Sequence, residues 1–260
     1  MTGTSTQSPS SDTITRFFSD RKIDAFCIAD ISRIHAPADR HPRTILPSCR
    51  TIIIFGIAMT DRFYSGTPKE QVAETRHLIE TLEPAALALR DLLVRAGSAT
   101  EVILPLPLTI EDGTVRGRLS LKYCAADAGF GTIGENTLLI NPVYGNRLVL
   151  AAVITEQELD PTLLPALMPA CTHCHRCVAA CPAGAIHDGV VDLTSCHAFT
   201  DHIPGRIRPL VVRLVQGRWS GRVITSVLNL VAPLLLTRIE IAVTCSACVT
   251  ACPYFHKGKR

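Results

Sequence analysis

Residues 171–182 read CTHCHRCVAACP, and the fold of the surrounding chain follows from this stretch. Its cysteines follow the spacing C-x2-C-x2-C-x3-C and are Cys171, Cys174, Cys177 and Cys181, with Pro182 directly after the last. In bacterial ferredoxins, three thiolates of such a run hold one [4Fe–4S] cluster and the fourth thiolate binds a second cluster. The spacing therefore predicts two clusters and requires four further cysteines.

The remaining thiolates come from a second run and from one isolated cysteine. The second run is Cys245-x2-Cys248-x3-Cys252-Pro253, and Cys196 stands between the two runs. Three closely spaced thiolates can bind three corners of a cube, whereas the fourth corner needs a thiolate from elsewhere in the fold. We assign one cluster to the first quartet, which is Cys171, Cys174, Cys177 and Cys252. We assign the other cluster to the second quartet, which is Cys181, Cys196, Cys245 and Cys248.

Two tetrathiolate zinc sites are the alternative for these eight cysteines. Structural zinc usually takes two separated C-x2-C pairs, whereas a packed run of four that ends in Cys-Pro is typical of clusters. The other three cysteines, Cys27, Cys49 and Cys124, lack such spacing, and we expect them to be small buried side chains. His173 and His175 lie inside the first run, where they either hydrogen-bond to the cluster or face water.

Composition narrows the class of protein. The 260 residues are 47% hydrophobic and 19% charged, as in a globular chain of one to two domains. The net charge is only +3 and aromatic residues make up 5%, so we expect no DNA partner. Eleven cysteines cannot all pair within one chain. Because the N-terminus also lacks a signal-peptide pattern, we expect a cytoplasmic protein with reduced thiols.

The longest uncharged apolar stretch covers residues 223–237. It is too short to span a bilayer. We expect a buried helix that packs on the cluster domain, and contact with a membrane surface is the minority alternative.

The hydrophobic pattern divides the chain and predicts an α+β fold. We expect a disordered tail over residues 1–11 and a layered α/β domain over residues 12–160. Residues 161–260 would form a ferredoxin-like domain with two [4Fe–4S] clusters and a helical insertion. Strands are predicted at 25–29, 51–58, 100–104 and 148–154, and helices after a cap at Asp12, over 69–96 and over 119–128. The strand at 51–58 should be buried on both faces, and Pro84 should kink or split the long helix.

A glycine motif precedes the cysteine runs. Residues 129–134, GFGTIG, match G-x-G-x-x-G, but a dinucleotide site requires a strand before this motif and a helix after it. Here a helical stretch comes first, and Asn141-Pro142 would end any helix that followed. We therefore reject a dinucleotide site. Two interpretations remain, a loop that brings the backbone close to a large flat ligand or a turn from helix to strand.

Residues 128–140, AGFGTIGENTLLI, resemble the A-G-L-G-x-x-G-K-N-T-L-L block of the epoxyqueuosine reductase-like iron–sulfur proteins, which are related to reductive dehalogenases. The strand at 148–154, an acidic stretch and the cysteine runs follow in the same order, so the resemblance covers residues 116–253. It implies an α/β domain joined to a two-cluster ferredoxin domain, with a cobalamin between them. On this resemblance, Gly129, Gly131, Gly134 and Asn136 would lie beside the corrin.

The chain departs from this family at several positions. Glu135 stands where the family has a lysine, and no acid matches the aspartate that is the proton donor of the founding reductase. Asp112, Lys122 and Tyr123 are the remaining candidates for that role. The helical-repeat extension that many such reductases use to hold transfer RNA is also missing, which argues against a tRNA partner.

Two functions are consistent with these features. The first is an iron–sulfur oxidoreductase that passes electrons from two clusters to a corrinoid, or to a small-molecule substrate held on it. Flavodoxin or ferredoxin would be its electron donor. The second is a non-catalytic ferredoxin-type electron carrier, in which the basic residues from Arg206 to Arg222 would dock an acidic partner. Retention of cobalamin by the purified protein would separate the two.

Overall fold

A computed structural model describes residues 9–36, 38–105, 109–111, 114–162, 171–201, 203, 205–206, 208–215 and 244–256. The predicted helix at 223–237, the proton-donor candidate Asp112 and part of the basic stretch after Arg206 lie outside these residues. Within the described ranges, no helix is both long enough and apolar enough to cross a membrane.

The chain contains both helices and antiparallel strands, as expected for the α+β class. Up to residue 162 the elements are α1 (Ser11–Asp20), β1 (Ala25–Asp30), β2 (Thr51–Ala58), α2 (Asp61–Ser65), α3 (Pro68–Arg95), β3 (Thr100–Ile103), β4 (Thr109–Glu111), β5 (Thr114–Arg116), α4 (Leu121–Asp127), β6 (Thr132–Ile133), β7 (Leu139–Ile140) and β8 (Leu148–Thr155). Short 3-10 turns at Ile31–Arg33, Ala38–Arg40 and Pro42–Thr44 lie between β1 and β2. From residue 171 onward they are α5 (Arg176–Ala179), β9 (Ile186–His187), β10 (Val190–Val191), α6 (His197–Thr200), α7 (Arg208–Val215) and α8 (Ala247–Thr250).

A four-stranded sheet with the order β1-β2-β8-β3 lies at the centre of the first part. All its neighbouring strands are antiparallel, and β2 pairs with β8 along its full length. Strand β2 is buried on both faces, because Ile52 and Ile54 point into one hydrophobic cluster and Ile53 and Phe55 into another. The sequence prediction for this strand is therefore confirmed.

Hydrophobic layers cover both faces of the sheet. Helices α1 and α3 pack on one face through residues such as Phe18 and Leu89. Helix α4 and strand β7 lie on the other face, where Cys27, Cys49 and Cys124 are buried. Full burial of a large aliphatic side chain contributes about 1.5–3 kcal/mol, so these layers hold the sheet rigidly. The prediction that the three isolated cysteines are core side chains is confirmed.

Helix α1 begins earlier than predicted. Its N-cap is Ser10, whose Oγ accepts a hydrogen bond from the Thr13 backbone N–H at 3.2 Å. Asp12 lies in the first turn instead, so the prediction that Asp12 caps the helix is wrong. A serine hydroxyl is an equally good cap, and here it lies at the position that reaches a free N–H. Ser11 consequently belongs to the helix and not to a disordered tail.

Helix α3 runs without a break through Pro84. Of the two predicted alternatives, a split at Pro84 is wrong, and a kink there stays a prediction. An interior proline costs about 3 kcal/mol, but Leu82 and Ala85 on either side of it are buried against the sheet. This burial helps to offset that cost. The helix ends at Ala96, and Gly97 follows it with a φ of +89°, as predicted.

The glycine motif forms a turn from helix to hairpin. Helix α4 precedes it, and β6 pairs with β7 directly after it. A Cβ on Gly131 would lie 2.7 Å from the Ile140 carbonyl oxygen and 2.8 Å from the Leu139 side chain. Close packing of the hairpin therefore requires glycine at this position. No helix follows the motif, which agrees with the rejection of a dinucleotide site.

The cysteine-bearing part contacts the sheet domain at Gly145. This residue has a φ of +60°, and a Cβ on it would lie 1.9 Å from the carbonyl oxygen of Tyr254. Next to this contact the rings of Phe255 and Tyr64 meet edge to face, with centroids 5.0 Å apart. The absence of a side chain at Gly145 thus lets the segment after Cys252 lie directly on the sheet domain.

Replacing Gly145 should loosen this junction. Gly145→Ala should cost about 1–2 kcal/mol for the left-handed backbone and about 1–3 kcal/mol more for the clash with Tyr254. Gly184→Ala is the matched control, because Gly184 has nearly the same φ, +57°, and open space around it. The midpoint of thermal unfolding of the iron-loaded chain should fall further for Gly145→Ala. Equal losses in the two variants would contradict this account of the junction.

Candidate functional site

The fold brings the first quartet together. Cys171, Cys174, Cys177 and Cys252 line one small cavity, although Cys252 belongs to the second cysteine run. Cys177 lies in α5 and Cys252 follows α8, and these two short helices pack against each other. This packing delivers the distant thiol to the loop that carries the other three.

The thiols of the second quartet are related through their charges. Burial, and then the negative charges of Cys196, Cys245 and Cys181, raise the pKa of Cys248 to about 11. The pKa of Cys196 is raised by burial first and then by Cys245 and Cys181. Such charge effects weaken with distance, so these four thiols lie within electrostatic reach of one another. A weaker effect of Cys177 on Cys248 indicates that the two quartets are adjacent.

The donor set suits iron–sulfur clusters. All eight side chains are thiols, and the Ala185 backbone N–H donates a hydrogen bond to Cys181 Sγ at 3.2 Å, as amides commonly do around cluster sulfurs. Among the residues with described positions, no group of three or more His, Cys, Asp or Glu side chains surrounds a site for a single metal ion. A cube takes one thiolate at each of four corners, so its thiolates need not converge on one point. The structure brings the first set into one cavity, and the assignment of both sets as cluster ligands stays a prediction.

Two asparagines of the sheet domain hold the second cysteine run in place. The Nδ2 of Asn136 donates to the Cys248 carbonyl oxygen at 3.0 Å, and the Nδ2 of Asn146 donates to the Val249 carbonyl oxygen at 3.0 Å. Both asparagines are buried. The bonds fix the start of α8 relative to the hairpin of β6 and β7, and with it the position of Cys248.

The first cysteine run is tied to the same hairpin through a charged residue. The Nδ1–H of His175 donates to Oε1 of Glu135 at 2.8 Å. Glu135 lines the first-quartet cavity, and its charge follows burial as a cause of the raised pKa of Cys177. His175 thus faces a carboxylate, whereas the sequence left a bond to the cluster and a contact with water as its alternatives. His173 is exposed.

A larger cavity of about 530 Å³ is within the size range of small-molecule sites, and Asn146 joins its lining to the backbone next to Cys248. Its walls are mostly aliphatic and come from the start of α4, from β8 and from the hairpin of β9 and β10. That hairpin lies in the sequence between Cys181 and Cys196. The polar side chains in the lining are Arg40, Ser120, Lys122, Tyr123, Thr137 and Asn146.

The cavity includes some of the predicted site residues and leaves others out. Lys122 and Tyr123 line it, and burial lowers the pKa of Lys122. The predicted corrin contacts are placed differently. Gly134 and Asn136 line the first-quartet cavity, whereas the larger cavity is lined by the residues that follow them, from Thr137 to Leu139. The lining of neither cavity includes Gly129 or Gly131. Contact of these four residues with a corrin stays a prediction.

Sequence reasoning missed two features of the site. Asn146 belongs to no motif, and only the fold shows that it joins the large cavity to α8. Glu135 was singled out as a departure from the family, but its partner His175 lies in another part of the chain. Among related sequences, a change of charge at position 135 that accompanies a change at position 175 is the signal that could have revealed this contact.

Comparisons with known proteins agree with this architecture. Residues 168–184 and 239–254 match the family of 4Fe-4S binding domains. The chain is 44% identical over 82 residues to an epoxyqueuosine reductase of Synechococcus sp. strain RCC307, covering 30% of this chain and 24% of the relative. It is 27% identical over 169 residues to that of Bacillus cereus, covering 64% and 43% respectively. The chain therefore spans less than half the length of these two relatives.

Solved structures share the fold. The epoxyqueuosine reductase of Streptococcus thermophilus superposes with a TM-score of 0.57 at 18% identity, over 93% of this chain and 65% of that one. An epoxyqueuosine reductase solved with an epoxyqueuosine-modified tRNA stem loop gives a TM-score of 0.57 at 17% identity, over 96% and 67%. Together, the family match, the partial sequence identity and the shared fold show that the chain is similar to the epoxyqueuosine reductases and carries two segments that match 4Fe-4S binding domains.

Proposed function

We propose that the chain is an iron–sulfur oxidoreductase whose two [4Fe–4S] clusters pass electrons to an acceptor in the large cavity. The observation that carries this proposal is the gathering of the first four thiols around one cavity, with the other four within electrostatic reach of one another. The larger cavity approaches the second cysteine run through Asn146, which lines it and donates to the Val249 carbonyl oxygen. The match to 4Fe-4S binding domains and the likeness to reductases support it. Clusters alone would suit a carrier, but a ligand-sized cavity beside them favours a reductase.

The geometry supports a direction for the electrons. Cys174, in the first quartet, is exposed, so a donor protein such as flavodoxin or ferredoxin can approach this cluster. We place the second cluster nearer the cavity, because Asn146 lines the cavity and donates to the Val249 carbonyl oxygen next to Cys248. Electrons would enter at the first quartet and leave at the second.

The cavity lining suits a corrinoid. Aliphatic walls such as Leu119, Leu148 and Leu150 fit a flat macrocycle, while Ser120 and Asn146 can hydrogen-bond to polar groups at its edge. When bound, a cobalamin would supply a reducible cobalt centre for bond breaking that the clusters do not perform themselves. The role of the protein would be to bind the cobalamin, to exclude water with the aliphatic wall and to supply electrons.

Lys122 is the proposed proton donor. It lines the cavity, and burial lowers the pKa of its ammonium group, which makes the group a stronger acid at neutral pH. The neighbouring Tyr123 also lines the cavity, but it is largely exposed to solvent. Asp112, the third candidate, lies outside the described residues.

A modified tRNA is the first substrate to test. The sequence argument against a tRNA partner rested on departures of this chain from the family. An epoxyqueuosine reductase of the same fold was solved with an epoxyqueuosine-modified stem loop, and this likeness outweighs that argument. The electron acceptor in the cavity would then be a corrinoid that acts on the modified base.

Removing one thiol should remove one cluster. Cys174→Ala should lose about half of the iron and acid-labile sulfide per chain, because each cluster needs its own four thiolates. The control is Cys124→Ala, since Cys124 is buried in the core on the face of the sheet that carries α4. Metal and sulfide analysis after oxygen-free purification checks both variants. Full iron in Cys174→Ala, or iron loss in Cys124→Ala, would contradict the assignment of thiols.

A bulky side chain in the large cavity should block binding of the electron acceptor. Val190 is 64% exposed and lines the cavity, so Val190→Trp can fill the space from its rim without disturbing the core. Val143→Trp is the matched control, because Val143 is 56% exposed and absent from the lining. The iron-loaded chain is mixed with hydroxocobalamin and passed through gel filtration, and the cobalt that stays bound is measured. This amount should fall at least about tenfold in Val190→Trp, which corresponds to a loss of about 1.4 kcal/mol of binding free energy.

The same measurement separates the two candidate functions. Retention of cobalamin by the unaltered chain and by Val143→Trp supports the reductase. An unaltered chain that holds full iron but no cobalamin would instead favour a non-catalytic electron carrier.

A further inference from the structure

We propose that Glu135 lowers the reduction potential of the first cluster through its buried negative charge. Glu135 is then a positioning residue, which acts through the cluster and touches no substrate. The inference rests on the proposed function, because it requires a [4Fe–4S] cluster in the first quartet.

The position of Glu135 is the main observation. Its side chain is 8% exposed and lines the cavity that the four thiols share. Besides those thiols, the lining contains only uncharged residues, which are Gly134, Asn136, Ile140, Thr172, Pro253 and Tyr254. Oε1 accepts the bond from His175, whereas the buried Oε2 has no hydrogen-bond partner in the described part of the chain. The Oε1 atom is therefore held in place, and no hydrogen bond from the described residues stabilises a charge on Oε2.

A buried negative charge opposes reduction of a neighbouring cluster. Each added electron makes the cluster more negative, and charges interact more strongly in a protein interior than in water. Net charge around a cluster is one of the factors that set its potential. The charge on Glu135 therefore makes the reduced form less favourable and lowers the potential.

The histidine partner does not cancel this effect. The side chain of His175 is 68% exposed, so water and salt screen any charge that it carries. Its bond to Oε1 mainly orients the carboxylate. The field at the first quartet is consequently dominated by the buried Glu135.

The surroundings of the second quartet differ. The Ala185 N–H donates to Cys181 Sγ, and such bonds favour the reduced cluster and raise its potential. Exposure of Cys174 acts in the opposite direction, because water stabilises added charge at the first cluster. Glu135 offsets that exposure, so electron transfer from the first cluster to the second is favourable.

The test is a redox titration of the iron-loaded chain, followed by EPR. Two midpoint potentials are expected, and the lower one belongs to the first cluster. Glu135→Gln keeps the shape and removes the charge, so it should raise the lower potential and leave the higher one in place. Glu135→Asp keeps the charge and should retain a low value. Glu158→Gln is the control, because Glu158 is 73% exposed and pairs with Arg50, and it should shift neither potential.

The possible outcomes separate this inference from the proposed function. An unaltered chain without iron and acid-labile sulfide would refute the proposed function itself. With full iron, an unchanged lower potential in Glu135→Gln, or an equal shift of both potentials, would overturn the role of Glu135. Loss of the first cluster from Glu135→Gln would also overturn it, because Glu135 would then be needed for assembly. If the cluster is only partly loaded, the EPR signal of the loaded fraction still reports the potential.

Discussion

The exchange of thiols between two distant cysteine runs is the constraint on which the rest of the molecule depends. Cys252 leaves the second run to join the first quartet, and Cys181 leaves the first run to join the second. Neither quartet can form unless α5 and α8 pack together. Because each proposed cluster would need both runs, assembly of the clusters and folding of this part of the chain are coupled events.

The sheet domain serves as the rigid base for this assembly. Its antiparallel strands are covered on both faces, and the hairpin of β6 and β7 extends from that base to the cysteine runs. Asn136 binds the backbone of one run and Glu135 contacts the loop of the other. A short glycine-rich segment therefore reaches both quartets, and its glycines are explained by the close packing of the hairpin.

The two quartets have different surroundings, and the proposed direction of electron flow rests on this asymmetry. One quartet has an exposed thiol and a buried carboxylate, while the other has an amide bond to sulfur and a link to the larger cavity through Asn146. A carrier that exchanges electrons only at its surface does not need such a cavity. Exposure, charge and hydrogen bonding are the physical factors that tune iron–sulfur clusters, and here they differ between two otherwise similar sets of thiols.

The sequence by itself determined the strand at 51–58 and the rejection of a dinucleotide site, and it predicted the grouping of the eight cysteines. These features follow from local spacing and periodicity, because a cube imposes its geometry on neighbouring thiolates and a buried strand needs continuous apolar residues. It misjudged the helix cap, which is the hydroxyl of Ser10, and it allowed a split at Pro84 that does not occur, because the helix packs on the sheet on both sides of the proline. Only the tertiary structure revealed the pair of Glu135 with His175, the role of Asn146 and the cavity, because each joins segments far apart in the chain.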